Sequence, residues 1–169
     1  MYIAQNYVVE GDWSGASFLL VAGALGGSIT VTNIRSSSKQ ADMALLQAIR
    51  DAGAIVEVSD TAVTVRKHIL QAFTFDATDC PDLFPPLVSL AAHCKGVSEI
   101  RGVSRLKHKE SDRATVLQTE FAKLGTRIEN KGDSMFVYGG TLVGGSMHAN
   151  NDHRIAMAGA VAAIAAKHP

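Results

Sequence analysis

The chain is organised around Ser104-Arg105-Leu106-Lys107-His108-Lys109-Glu110-Ser111-Asp112-Arg113, a dense charge cluster that leads directly into a helical apolar pattern. The apolar residues that follow it are spaced three, four and three apart: Ala114, Leu117, Phe121 and Leu124. This spacing predicts an amphipathic helix, and Gly125 is a typical residue just beyond a helix C-terminus. The charge cluster therefore lies at the N-terminal end of a predicted helix.

Cations are disfavoured at that end of a helix, by roughly 0.3–1 kcal/mol each, because the macrodipole is positive there. Lys109 and Arg113 are four apart, so we expect them on one helix face, where they favour a bound anion. Without a bound anion, the two cations should destabilise the domain. Arg113→Ala should therefore leave the unfolding midpoint of the domain unchanged or raise it. The alternative is a solvated basic turn with no ligand.

The region around this helix is one copy of a repeat with a period of about seventy residues. Three short stretches align, and an apolar helical run follows each of them: Glu10-Gly11-Asp12, Ala77-Thr78-Asp79 and Asn150-Asn151-Asp152. Each copy predicts the order β-α-β-α-β-β, with units at roughly residues 7–66 and 73–139 and an incomplete third at 146–169. The fold class is α/β (or α+β), in one truncated globular domain over residues 1–169.

Two alternating strands are expected to close each complete unit, at residues 55–58 with 62–65 and at residues 127–129 with 135–138. The second helix of the first unit should end at Gly53, as its counterpart ends at Gly125. The third copy stops after its first helix, so Pro169 is expected to be a fragment end. Asp42 and Asp112 match between the copies and are predicted to be helix-start carboxylates.

The composition of the chain argues against several classes of function. Sixteen basic and sixteen acidic residues give no net charge, which argues against a nucleic-acid binder that relies on a basic surface. Cys80 and Cys94 have no metal or disulfide pattern and are expected to be reduced thiols. No membrane span or leader is recognised, so a cytoplasmic protein is expected. Five histidines lack metal-ligand or catalytic-triad spacing: His68, His93, His108, His148 and His168.

Three sequence words resemble the EPSP synthase (3-phosphoshikimate 1-carboxyvinyltransferase) family. They are Asp79-Cys80-Pro81-Asp82, Lys109-Glu110-Ser111-Asp112-Arg113 and Asn151-Asp152-His153-Arg154-Ile155-Ala156-Met157-Ala158. The resemblance implies two globular halves, each an inside-out α/β barrel half of three repeat units with buried parallel helices. This chain would be most of the second half. The missing first half of the same enzyme would then be its partner.

The resemblance also implies the reaction. The carboxyvinyl group of phosphoenolpyruvate is transferred to the 5-hydroxyl of 3-phosphoshikimate, through a tetrahedral intermediate that eliminates phosphate. No metal and no organic cofactor takes part. Because half of the site is expected to be absent, the isolated chain is expected to be inactive.

Site residues follow from the same resemblance. Asp82 matches the catalytic proton acceptor, although from the residues alone it is predicted to be only a helix N-cap. Lys109 matches the lysine that contacts 3-phosphoshikimate, and Glu110 matches the glutamate beside the carbon that is protonated. Arg113 and Arg154 match the arginines that hold phosphoenolpyruvate. His153, next to Arg154, is a further candidate for the lining of the cleft.

Two alternatives remain open. A related architecture belongs to UDP-N-acetylglucosamine enolpyruvyl transferase, although the quoted words favour the shikimate enzyme. A non-catalytic half-domain that binds anions or has a structural role would also fit the repeat. Ser104-Arg105 and Cys80 depart from the residues usual in the family at these positions.

Overall fold

The computed structural model describes residues 3–6, 8–107 and 109–168. Within them the chain forms five α-helices, seven β-strands in two sheets and three short 3₁₀ turns. His108, one of the histidines discussed above, lies outside the described residues. So do Tyr7, at the start of the first predicted unit, and Pro169 at the expected fragment end.

The first unit contains two helices and a three-stranded sheet. Its elements are α1 (Trp13–Gly26), β1 (Ser28–Thr32), a 3₁₀ turn (Ala41–Ala44), α2 (Leu45–Asp51), β2 (Ile55–Val58) and β3 (Ala62–Arg66). The sheet is antiparallel in the order β1-β3-β2. Gly53 follows α2 with a φ of 96°, a conformation that favours glycine, so the predicted helix end is confirmed.

The second unit repeats this plan with one more strand. Its elements are β4 (Thr74–Asp76), a 3₁₀ turn (Pro81–Leu83), α3 (Phe84–Ala92), β5 (Gly96–Arg101), a 3₁₀ turn (Val103–Leu106), α4 (Arg113–Lys123), β6 (Arg127–Lys131) and β7 (Ser134–Gly139). The sheet has the order β4-β5-β7-β6, with β4 parallel to β5. The four apolar positions predicted for α4 are all buried. The α/β architecture is confirmed.

The predicted first strand forms only in the second unit. No strand is assigned at residues 8–12, where Val8 and Val9 are exposed, or at residues 140–152, just before α5 (His153–Ala163). A β-strand needs a partner for its backbone groups, and β4 finds one in β5. In the first unit, the backbone N–H of Gly11 donates to the carbonyl of Asn33, but no ladder follows.

Helices α1, α3 and α5 pack together between the sheets. Helices α3 and α5 run parallel, because ion pairs join their N-terminal ends while His93 Nε2 lies 2.9 Å from the Ala162 carbonyl at their C-terminal ends. All nine residues of α3 are buried, against eleven of fourteen in α1 and four of eleven in α5. Helix α3 is therefore the centre of the core, and α5 is covered on one side only.

The uncovered side of α5 borders an apolar groove of about 260 Å³. The segment 142–149 forms its other wall, and on the side of α5 that faces the groove Ala156 and Ala160 are exposed. None of the described helices is both long enough and apolar enough to cross a lipid bilayer.

The two cysteines, Cys80 and Cys94, are free thiols, as predicted. Both are buried, and burial raises their thiol pKa values to about 11 and about 12.

Candidate active site

Five predicted site residues meet in one ion-pair cluster at the N-terminal ends of α3, α4 and α5. Asp82 lies in the 3₁₀ turn before α3, while Lys109 and Glu110 lie in the bend before α4. Arg113 is the first residue of α4, and Arg154 is the second residue of α5. Segments more than seventy residues apart in sequence thus contribute charges to one place.

Arg113 is the centre of the cluster, with no exposed side-chain surface. Its Nε donates to Asp152 Oδ2 at 2.7 Å, its Nη1 to Asp82 Oδ1 at 2.8 Å and its Nη2 to Glu110 Oε2 at 2.5 Å. Burial disfavours the charged guanidinium, but hydrogen bonds to Asp152 and Asp82 outweigh burial and raise the pKa of Arg113. The side chain is a cation tied between three carboxylates.

This arrangement contradicts two predictions made from the charge cluster. Lys109 and Arg113 do not share a helix face, because α4 begins at Arg113 and Lys109 lies in the preceding bend. The premise that the cations are unpaired without a ligand is wrong as well, since Asp82, Glu110 and Asp152 neutralise them locally. The helix dipole is a small effect beside buried ion pairs at hydrogen-bond distance.

Asp82 contacts three cations. Its carboxylate lies 3.0 Å from Lys109 Nζ, 2.8 Å from Arg113 Nη1 and 3.4 Å from Arg154 Nη2. Burial acts to raise its pKa, but the hydrogen bond from Lys109 and the charge of Arg154 prevail and lower the pKa of Asp82. The N-cap interpretation is wrong, since the cap positions of the turn and of α3 are Cys80 and Leu83.

Asp152 is the residue of the cluster that sequence reasoning missed. It is fully buried, accepts hydrogen bonds from Arg113, from the Ser111 hydroxyl at 3.0 Å and from the Arg154 backbone N–H at 3.0 Å, and caps α5. The burial of Asp152 acts to raise its pKa, but the hydrogen bond from Arg113 and that from the Arg154 backbone lower it. The alignment of Asp152 with Asp12, which caps α1, could have identified Asp152 as a helix cap from the sequence. Nothing in the sequence pointed to Arg113 as its partner.

Arg154 keeps an open donor. Its side chain is 14% exposed, and in the described part of the chain its buried Nη1 has no hydrogen-bond partner. A buried guanidinium nitrogen without a partner is costly, so this atom is suited to an incoming acceptor.

His153 is exposed at the first position of α5, and its role stays a prediction. Asp112 caps α4 as predicted, accepting from the Thr115 hydroxyl at 2.9 Å. Asp42 lies in the first turn of the 3₁₀ segment before α2, where burial raises its pKa. Across residues 3–6, 8–107 and 109–168, no three His, Cys, Asp or Glu side chains are grouped so as to hold a metal ion.

Comparisons with known proteins agree on one family. A family model described as EPSP synthase (3-phosphoshikimate 1-carboxyvinyltransferase) matches residues 2–169. The chain is similar to the 3-phosphoshikimate 1-carboxyvinyltransferase of Brachyspira hyodysenteriae, with 41% identity over 164 residues that cover 95% of this chain and 39% of the relative. The enzyme of that name from Aeropyrum pernix is 40% identical over 162 residues, which cover 95% and 38% of the two chains.

Among solved structures, EPSP synthase from Acinetobacter baumannii matches the fold with a TM-score of 0.82 at 21% identity. The match covers 95% of this chain and 41% of that one. At this identity the likeness shows the fold alone. The chain spans about two fifths of the length of the curated relatives that it matches.

Proposed function

The chain belongs to the EPSP synthase family, and on that premise we propose that it forms one half of an active site for carboxyvinyl transfer. The donor is phosphoenolpyruvate and the acceptor is the 5-hydroxyl of 3-phosphoshikimate. The observation that carries the proposal is the convergence of Asp82, Lys109, Glu110, Arg113 and Arg154 at three helix N-terminal ends. Three separate sequence words supply these five residues.

The two arginines suit the donor. Planar guanidinium groups bind carboxylate and phosphate through paired hydrogen bonds. Arg113 Nη1 and Arg154 Nη2 both face the Asp82 carboxylate, so the two guanidiniums flank one small volume. Arg154 Nη1 offers a donor that the described residues leave unpaired. An anion between the two side chains would replace protein carboxylates as their partner.

The carboxylates suit the proton transfers. Asp82 is held ionised by its cationic neighbours, as a group that accepts the proton of the 5-hydroxyl must be. Glu110 is 48% exposed and can reach a ligand in front of the cluster. In the proposed addition, the 5-hydroxyl oxygen attacks the substituted vinyl carbon as its proton passes to Asp82, while Glu110, protonated beforehand from solvent, gives its proton to the terminal carbon. In the elimination, the new methyl group returns a proton to the Glu110 carboxylate, the carbon–oxygen bond to phosphate breaks, and phosphate leaves with the proton held by Asp82. Lys109 would contact the 3-phosphate of the acceptor.

The remaining half of the site would come from the first half of the whole enzyme, which supplies further cations. We infer that residues 7–66, 73–139 and 146–169 are the repeat units of this half, the third being incomplete. In the part of the chain that the structure describes, no sheet covers the open side of α5, which supports that division. By family membership, we infer an enzyme of aromatic amino-acid biosynthesis in the cytoplasm.

A chimera tests the proposal. This chain replaces the matching 164-residue segment of the Brachyspira hyodysenteriae relative, and phosphate release from phosphoenolpyruvate with 3-phosphoshikimate is measured. We expect activity, and we expect Asp82→Asn to lower turnover about 100-fold or more, the usual contribution of a positioned acid or base.

The matched control is Asp79→Asn, three residues away and exposed, which should retain near wild-type turnover. A folded chimera without activity would count against the proposed function. Activity of Asp82→Asn within a factor of two of the parent would remove Asp82 from the chemistry.

A further inference from the structure

We propose that Glu110 occupies the place of the substrate anion on Arg113, and that anion binding displaces the Glu110 carboxylate toward the substrate. This inference rests on the proposed function of the cluster and adds an exchange step to it. Binding of the donor and release of Glu110 would be one event.

The first argument is charge balance. Three carboxylates, Asp82, Glu110 and Asp152, face three cations, Lys109, Arg113 and Arg154. The cluster is formally neutral without a ligand. An anion that binds to Arg113 must therefore compete with a carboxylate already bound there, since bringing a further negative charge into a half-buried neutral site is unfavourable.

The second argument identifies the carboxylate that leaves. Asp152 is fully buried and accepts hydrogen bonds from two side chains and one backbone N–H. Asp82 contacts three cations. Glu110, in contrast, has Arg113 as its one ion-pair partner within the described residues, and it is half exposed in a non-helical bend. Glu110 is thus held least firmly and can rotate into solvent without breaking a helix.

The third argument is the geometry left after the exchange. Departure of Glu110 frees one N–H of Arg113 Nη2, which Glu110 now contacts at 2.5 Å, while Nη2 keeps its contact of 3.3 Å to Asp152 Oδ1. Arg154 Nη1 is already without a partner in the described residues. Both guanidiniums contact the same Asp82 carboxylate through their other nitrogens, Arg113 Nη1 and Arg154 Nη2, so the two donors belong to neighbouring side chains. In the proposed exchange an oxyanion binds to both side chains, and the freed Glu110 carboxylate lies beside it.

The test uses this chain and inorganic phosphate. Side-chain ¹⁵N resonances of arginine report binding by NMR titration, and the ¹³C resonance of the Glu110 carboxylate reports its release. We expect phosphate to shift the Glu110 carboxylate signal while that of Asp152 stays in place. Glu110→Gln, which keeps the shape and removes the competing charge, should bind phosphate about ten times more tightly, since hydrogen bonds to charged groups are the stronger ones.

The matched control is Glu57→Gln, because Glu57 also pairs with an arginine, the exposed Arg66 on the first sheet, away from the cluster. Its phosphate affinity should equal that of the wild type. The exchange would be overturned if Glu110→Gln bound phosphate no more tightly than the wild type, or if neither of these two proteins bound phosphate. Arg154→Met should weaken binding in both backgrounds.

The outcomes separate the exchange from the proposed function. If wild type and Glu110→Gln bind equally and Arg154→Met weakens both, the exchange is wrong while the anion site stands. If Glu110→Gln binds more tightly but the chimera has no activity, the exchange stands and the proposed reaction is wrong.

Discussion

One carboxylate, Asp152, positions two arginines. Its side chain binds the Arg113 guanidinium at 2.7 Å and caps α5 through the backbone N–H of Arg154. The start of α5 and the side chain at the start of α4 are thus fixed by the same group. A buried pair of this kind is weak evidence for net stability, yet breaking it leaves an uncompensated buried charge.

Arg113→Met should therefore destabilise the chain by about 3–5 kcal/mol, because the fully buried Asp152 would lose its counter-charge. Urea denaturation followed by circular dichroism measures the change. Arg66→Met, which removes an arginine from an exposed pair, is the control and should change the midpoint little. An unchanged or raised midpoint for Arg113→Met would restore the interpretation of the cluster as a cost to the empty domain.

The site residues could be located from the sequence, but their contacts could not. The words around Asp82, Arg113 and Arg154 resemble the family and gave the positions. The Arg113–Asp152 pair joins residues 39 apart through tertiary packing, which no local spacing encodes. The dipole argument failed at Arg113 for the same reason, because it considered one helix without its neighbours.

Among the helices, α3 and α5 are both rich in apolar residues but differ in burial. Every residue of α3 is buried, whereas α5 exposes Ala156 and Ala160 beside the groove. Apolar periodicity predicted both helices and the two hairpins correctly. The leading strand predicted for each unit is confirmed only in the second, because strand formation depends on a free sheet edge, which β5 offers to β4.

Charges introduced on these two helices should have opposite outcomes. Ala91→Glu in α3 should destabilise the chain by more than about 3 kcal/mol or prevent folding, because it buries an unpaired charge. Ala160→Glu in α5 should change the free energy of unfolding by less than about 0.5 kcal/mol, as surface substitutions do. Thermal and urea unfolding of both variants measure this, and a large loss for Ala160→Glu would mean that the groove side of α5 is covered in solution.

The contact between His93, which follows α3, and Ala162 of α5 should make the free energy of unfolding depend on pH. The pKa of His93 is lowered, mainly because the imidazole is buried. The hydrogen bond to the Ala162 carbonyl acts to raise this pKa, and the charge of nearby Lys67 acts to lower it further. The neutral imidazole is thus favoured in the folded state. Its contribution to stability is present above the ordinary pKa of 6.5 and is lost as the pH falls below it toward the folded value.

We expect the free energy of unfolding to fall between pH 7 and pH 5. We expect His93→Gln, whose amide can still donate to the Ala162 carbonyl, to flatten that slope. Urea unfolding at several pH values measures it, with the exposed His68→Gln as the control. If His93→Gln keeps the full slope, another group is responsible.

At the scale of the whole molecule, we expect the chain by itself to release no phosphate from phosphoenolpyruvate and 3-phosphoshikimate. Transition-state charge is stabilised by donors fixed around a site that excludes water, and this cluster is open on one side. A coupled phosphate assay of the chain beside the chimera measures this. Turnover by the chain near that of the chimera would mean that the described half is sufficient.

The central position of α3 also sets an order of events during synthesis. Helix α1 ends at residue 26 and packs against both its own sheet and α3, which ends at residue 92. Ribosomes add roughly 5–20 residues per second, so about 3–13 seconds separate the completion of the two helices. During that interval the α1 surface that will meet α3 has no partner. The nascent chain therefore carries an uncovered apolar helix face until α3 has been synthesised.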